Sequence, residues 1–150
     1  MGDDAIVFGP GEGEALQARG SVMLFKAVAA STGGAFSLHQ RELPSGGRKP
    51  PVHRHTDCQE AFFVLEGEVE FVLGDGADTV RHGPGTFVLV PGGVAHTFGN
   101  PGPGPARVLV LHASAMDQYF RELQELWSGD TPPDRAAELD LMRRHGMEPG

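Results

Sequence analysis

The chain has one cysteine, one tryptophan and one tyrosine in 150 residues, and its acidic side chains outnumber its basic ones. Each scarcity excludes something. A lone cysteine, Cys58, forms no internal disulfide, which fits a reducing compartment. Twelve Lys and Arg against twenty Asp and Glu leave a net charge of −8, so the basic footprint of a nucleic-acid binder is missing. No apolar run reaches about 18 residues, the length read as a membrane span. The start, Met1-Gly2-Asp3-Asp4, is acidic where a secretory signal would be basic, and Ile6 breaks the myristoylation pattern after Gly2. These observations lead us to expect a cytoplasmic protein without nucleic-acid or membrane partners, in one domain large enough for a real core.

Glycine and proline, by contrast, are plentiful, at 22 and 12 residues. They fall at near-regular intervals: Gly46-Gly47, Glu66-Gly67, Gly74-Asp75-Gly76, Gly83-Pro84-Gly85, Pro91-Gly92-Gly93 and Asn100-Pro101-Gly102. Short runs rich in Val, Phe and Leu lie between them, and turn signals about every 8–12 residues mark an all-β sandwich or barrel. Val22–Ala29, Phe36–Leu43, Glu60–Leu65, Val69–Leu73, Thr86–Val90 and Arg107–His112 read as strands, with Thr79–Arg81 and His96–Phe98 as shorter pieces. Gly9-Pro10-Gly11-Glu12-Gly13 lacks the Lys-Ser/Thr and preceding strand of a phosphate loop.

After His112 the period changes. Met116, Tyr119, Phe120, Leu123, Leu126 and Trp127 recur at helical spacing, which reads as a packing stripe, with Ser114 and Asp117 at its start. A second helix is expected over residues 132–145, capped by Thr131 with Pro132 in its first turn, and stopped at Gly146. The expected organisation is an N-terminal segment or edge strand over 1–20, a barrel over 21–113 and C-terminal helices over 114–150.

The chemistry-bearing stretch is Pro51-Val52-His53-Arg54-His55-Thr56-Asp57-Cys58-Gln59-Glu60-Ala61-Phe62-Phe63. On a strand, His53 and His55 present both imidazoles to one face. Glu60 follows a short polar turn and runs straight into an apolar strand. If Glu60 points inward, so do Phe62 and Val64. Buried imidazoles and carboxylates need a compensating partner, and a divalent metal is one. His53 and His55 alone would read as a surface pair. Another segment, from Gly85 through Pro91-Gly92-Gly93 to His96 and Asn100, supplies a further histidine after a strand and a tight turn.

Both segments resemble the two cupin motifs. Gly47, His53, His55, Glu60 and Gly67 stand at the defining positions of the first, and Gly85, Pro91, Gly93, His96 and Asn100 at those of the second. The 17 residues from Glu68 to Pro84 form the region between them. The firm resemblance covers roughly residues 35–112, and the tail is similar to small bacterial quercetin-dioxygenase-like cupins. It implies a jelly-roll β-barrel with a C-terminal pair of helices and a metal inside one end, held by His53, His55, Glu60 and His96. Cys58 stands where the family more often has an acidic residue. It lies in the turn, and four better-placed donors make it a poor ligand. His39, His82, His112 and His145 have no spaced partners and read as surface or packing residues, with His112 and His39 the two that can support the ligands from behind.

Four protein ligands around an octahedral ion leave room for other molecules. Phe36, Leu38, Phe62, Val64, Phe71 and Phe98 are the expected pocket walls. No strand of the motif region has an alternating Lys/Arg face for a sugar phosphate. The expected activity is therefore a metal-dependent, quercetinase-like dioxygenase. It would use O2, one divalent transition metal (Fe, Mn, Ni, Co, Cu or Zn) and a small hydroxylated, largely apolar or aromatic substrate, with Glu60 as the catalytic base. The alternatives are a non-redox cyclase or isomerase using the metal as a Lewis acid, and a small-molecule-binding protein without turnover. A homodimer is expected from the family, with the N-terminal segment a natural edge to pair.

Overall fold

The short β-branched and aromatic runs between turn signals become strands whose side chains alternate between a buried and an outer face, as a half-buried sheet requires. The computed structural model describes residues 4–47 and 49–150, so the acylation pattern considered at Gly2 lies outside the described residues. Among the described residues the order is β1 (Glu14–Ala18), β2 (Ser21–Ala27), α1 (Ala29–Thr32), β3 (Ser37–Leu43), β4 (His53–His55), β5 (Gln59–Glu66) and β6 (Val69–Leu73). There follow β7 (Thr79–His82), β8 (Phe87–Val90), β9 (His96–Gly99), β10 (Ala106–Ala113), α2 (Asp117–Leu126), α3 (Arg135–Arg144) and β11 (Met147–Pro149). All strand pairings are antiparallel, in a six-stranded sheet ordered β1-β2-β3-β10-β5-β8 and a five-stranded sheet ordered β11-β4-β9-β6-β7. Two antiparallel sheets face to face, with helices after them, make a jelly roll.

Tight turns hold the strands in register where only glycine fits. Gly67 has φ +71°, and a Cβ there would lie 2.5 Å from the Pro105 carbonyl oxygen. Gly93 has φ +87° and donates its N–H to the His55 carbonyl at 2.8 Å, tying the Pro91-Gly92-Gly93 turn to the end of β4. Asn100 fastens the next loop: its Nδ2 donates to the carbonyls of Leu43 at 2.8 Å and Gly104 at 2.9 Å. These two contacts give Asn100 a structural role.

Among the described residues the interior has two apolar cores. Leu43, Phe62, Val64, Val69, Phe71, Val88, Val90, Phe98, Val108 and Val110 fill the barrel between the sheets. Leu16, Met23 and Phe25 from the first hairpin pack with Met116, Tyr119, Phe120, Leu123, Leu141, Met142 and Met147 into the other, which seats the helices on the barrel mouth.

The C-terminal segment departs from expectation at three points, the first being that α2 begins at Asp117 with Met116, not Ser114, at its N-cap. The last helix begins at Arg135, capped by Asp134, whose side chain accepts from the Ala136 N–H, rather than at Pro132 with a Thr131 cap. Pro132 and Pro133 push the residues before them out of helical geometry, so the helix starts after both. Beyond Gly146 the chain adds β11, which pairs with β4 in the register Met147 to His55 and Pro149 to His53. Proline is tolerated there because β11 is a sheet edge.

Candidate metal centre and its cavity

Three strands deliver four polar groups to one point inside the barrel mouth. On β4, His53 and His55 point inward while Arg54 points out and pairs with Asp75 at 2.8 Å. On β5, Glu60 shares the inward face with Phe62 and Val64. On β9, His96 lies across from His53 in the β4–β9 register. One ligand atom from each of His53, His55, Glu60 and His96 can be chosen so that all lie within 4.8 Å of one another, and all four residues are buried.

Glu60 is the hub. Its Oε1 lies 2.7 Å from His96 Nε2 and 3.1 Å from His55 Nε2, and its Oε2 lies 3.0 Å from His112 Nε2. His112, on β10, stands opposite Glu60 in register. Burial pushes the Glu60 carboxyl upward, but His112 and the hydrogen bonds from the three imidazoles outweigh it and hold the carboxyl well below its usual range. Burial lowers His55 despite its bond to Glu60, and lowers His53 to about 3 with help from His96. His96 moves the other way: burial depresses it, and the bond to Glu60 more than restores it.

The tautomers test whether a metal suits this cluster. A backbone carbonyl only accepts, so His53 Nδ1 must donate to Pro51 O at 2.6 Å and His96 Nδ1 to Val94 O at 2.9 Å. In the neutral rings this turns the Nε2 lone pairs inward, as metal-binding histidines are oriented. A bare lone pair facing a carboxylate oxygen at 2.7 Å is repulsive unless a proton or a cation lies between them. One carboxylate cannot neutralise three imidazolium ions, whereas a divalent cation satisfies neutral imidazoles and a carboxylate together. The donor set is suited to a transition-metal ion.

The cluster opens into a narrow cavity lined by Arg19, Arg41, Pro50, Phe98, Met116, Tyr119, Phe120 and Met147 as well as His53, His55, Glu60 and His112. Of the expected walls, only Phe98 lines it. Phe62, Val64 and Phe71 belong to the apolar core beneath, and Phe62 packs against Phe71 and Phe98 with ring centroids 5.3 and 4.9 Å apart. Phe36 is 37% exposed, and Leu38 is on the outer face of β3, whose inward side chains are Ser37, His39, Arg41 and Leu43. The expectation followed hydrophobicity along β3; the buried face is instead the polar one. His39 is fully buried against Phe25 and Phe120, and both its ring nitrogens lack a partner among the described residues.

Two arginines in the cavity were not anticipated. Arg19 forms a buried ion pair with Glu138 on α3 and also donates to the Tyr119 hydroxyl at 3.2 Å. Arg41 is 4% exposed, and its Nε donates to Ser21 Oγ at 3.0 Å. Burial, with Arg19 nearby, lowers Arg41 to about 10, so it stays charged at neutral pH. No alternating basic stripe announces them. The available signal was strand parity, which places Arg41 on the same face as Leu43.

A jelly roll with a buried imidazole–carboxylate cluster at one end of the barrel defines a class of metal-binding β-barrel proteins. Residues 39–112 match the family model of the cupin domain, and the chain belongs to the cupin superfamily as a small member. It is 28% identical over 123 residues to quercetin 2,3-dioxygenase of Bacillus subtilis, covering 82% of this chain but only 36% of that relative. Among solved structures it is similar to the polyketide cyclase RemF from Streptomyces resistomycificus, at TM-score 0.63 and 26% identity over 74% of this chain and 80% of that one. A sugar phosphate isomerase of the superfamily from Silicibacter pomeroyi superposes at TM-score 0.54 with 25% identity, over 67% of this chain and 68% of that one. No helix among the described residues is long and apolar enough to cross a membrane.

Proposed function

We propose that the protein is a metal-dependent dioxygenase acting on a small hydroxylated, largely apolar or aromatic molecule, with His53, His55, Glu60 and His96 as metal ligands. The observation that carries this reading is the convergence of three imidazoles and one carboxylate on a buried cavity with aromatic walls. The likeness to quercetin 2,3-dioxygenase supports it. When bound, a divalent transition metal supplies Lewis acidity and a redox route to O2. The carbonyls of Pro51 and Val94 fix the rings of His53 and His96. Glu60 accepts the proton of a substrate hydroxyl at a carboxylate oxygen, and His112 holds that carboxylate in place from Oε2. Met116, Tyr119, Phe120 and Met147 give the cavity a largely apolar lining, which disfavours water beside the cluster.

Oxygen uptake tests the reading. The protein is loaded separately with Fe, Mn, Ni, Co, Cu or Zn and given quercetin as a generic flavonol, with apo-protein as control. Metal-dependent uptake that disappears in His96→Ala and Glu60→Ala is the expected result; full uptake in either variant overturns the assignment. The likeness to a polyketide cyclase favours one alternative, a cyclase or isomerase without redox chemistry. Turnover that persists without O2 would select it, and metal binding with no turnover would select a binding role.

The outer faces of β5 and β8 expose Phe63, Leu65, Phe87 and Leu89, with Phe63 opposite Phe87 in register. We take this contiguous apolar face as the contact of a homodimer, which sedimentation of the protein and a Phe87→Glu variant would check. The single thiol, Cys58, supports a cytoplasmic setting.

A further inference from the structure

Arg41 is a buried cation that feels the Glu60 carboxylate of the same cavity but makes no ion pair among the described residues. It lines the same cavity as His53, His55 and Glu60, yet no carboxylate among the described residues is within ion-pairing distance of it. The neighbouring Arg19 shows the contrast, since Glu138 neutralises it. The face of the Arg41 guanidinium is held by rings, its carbon 5.3 Å from the centroid of Phe98 and 5.9 Å from that of Phe120. Its Nε is used by Ser21. The two terminal nitrogens, the fork that matches a planar two-oxygen anion, make no hydrogen bond among the described residues.

We propose that Arg41 is the binding subsite for a carboxylate on the substrate, so that the substrate is an enol or phenol acid. The hydroxyl end would face the cluster around Glu60 and the carboxylate would face the Arg41 fork. This rests on the functional reading above, that the cluster holds a divalent metal open to substrate.

Charge supports the same class. Loaded with a divalent ion, the cavity would hold more positive than negative charge: Glu60 offsets only part of the ion, Arg19 and Glu138 cancel, and Arg41 adds to the excess. A molecule bringing both an ionised hydroxyl and a carboxylate restores the balance; a neutral flavonol restores only part of it. Ring contacts alone do not account for Arg41, because they engage the guanidinium face and leave its two terminal nitrogens without a hydrogen bond among the described residues.

The test uses a matched pair of probes, catechol and 3,4-dihydroxybenzoate, which differ only in a carboxylate too far from the hydroxyls to chelate the same ion. Each is titrated into the cobalt-loaded protein, and the visible absorption of cobalt reports binding. The wild type should bind 3,4-dihydroxybenzoate about tenfold or more tightly than catechol, the increment expected of a charge-assisted bidentate pair. Arg41→Gln should remove that preference and leave catechol affinity within about twofold. Arg41→Lys, which keeps the charge in the buried position, should retain only part of the preference, and it carries the test if the glutamine variant fails to fold. Equal affinity for both probes in the wild type, or a preference unchanged in the variants, overturns the subsite. If neither probe alters the spectrum of protein shown to hold its cobalt, the open metal site itself falls, and the subsite with it.

Discussion

The two halves of the barrel interior are built by the same strands and differ in every other respect. Along the inward face of β5, Glu60 is followed by Phe62 and Val64; along β10, Val108 and Val110 lead to His112; along β3, His39 and Arg41 lead to Leu43. One end of each strand is therefore apolar and packed, the other polar and sparsely satisfied. The packed half needs nothing but itself. At the mouth, among the described residues, His39, His55 and His112 keep ring nitrogens without a hydrogen-bond partner, and Arg41 makes no ion pair. Burying polar groups this way costs stability, so what the comparison teaches is a division of labour: the apolar half holds the fold and the polar half spends stability on a ligand.

Truncation in the packed half should give the largest effect. Phe62 is 1% exposed and touches the rings of Phe71 and Phe98. Phe62→Ala should cost about 3–5 kcal/mol in urea unfolding, because the barrel cannot close over the lost ring. His39→Phe, replacing a buried imidazole that has no hydrogen-bond partner among the described residues, should cost far less or stabilise the chain. If both variants lose equal stability, the division between the halves is wrong.

The next effect belongs to the polar half and should appear in metal affinity rather than folding. His96→Ala should weaken binding by more than about 100-fold, beyond the range of groups that only orient ligands, while His112→Gln should fall within about 10–100-fold. Competition with a chromophoric chelator measures both. In the same experiment metal should raise the melting temperature of the wild type and leave that of His96→Ala nearly unmoved. Equal losses for the two histidines would make His112 a ligand.

Much of this division could be read in the chain before folding. The resemblance to the two cupin motifs implies the set His53, His55, Glu60 and His96, and the inward run Glu60, Phe62, Val64 follows from the period of a strand. On β3, hydrophobicity and strand parity point to opposite faces, and parity prevails. Phe36 and Leu38 look like walls, but the interior there is polar and takes His39 and Arg41, a choice that only the arrangement of the other strands decides. His112 needed the β5–β10 register to become Glu60's partner. β11, at three residues, has too little pattern of its own and forms because β4 offers an edge.

Acid should separate the halves next. In the metal-free protein, His53 is lowered from 6.5 to about 3, and His55 and His39 are also lowered, each chiefly by burial. As pH falls below about 6.5 the unfolded chain takes up protons that these folded rings refuse, so stability falls, by about 1 kcal/mol for such a histidine between pH 7 and 5.5. His96, raised by its bond to Glu60, works in the opposite direction, its contribution being present below 6.5 and lost as pH rises through its folded value. Glu60, held low, adds stability above the usual carboxylate range that is lost only in stronger acid. Unfolding free energy of the apo-protein should therefore decline from pH 7 to 5.5, and His53→Phe should decline less steeply. A profile flat over that interval would mean that the histidines titrate alike in both states.

The smallest effect tests how the helix that roofs the polar half is fastened. Arg121 on α2 reaches two carboxylates of unlike burial: Asp117, 2% exposed and also accepting the Ala29 N–H at 2.8 Å, and Glu14, which meets Arg121 at 2.6 Å on the surface. The hydrogen bond from Arg121 lowers the Glu14 carboxyl. A lowered carboxyl contributes stability above its unfolded value of about 4.3 and loses it as pH falls through the folded one. Because Glu14 is largely solvated, Glu14→Gln should cost under about 1 kcal/mol, and less in high salt. Asp117→Asn should cost more and depend less on salt, since its own carboxylate is buried and one of its partners is a backbone N–H. Thermal melts of both variants at low and high ionic strength compare them directly. If Glu14 proves the costlier loss, the roof is held from its surface edge rather than from the buried contact beneath it.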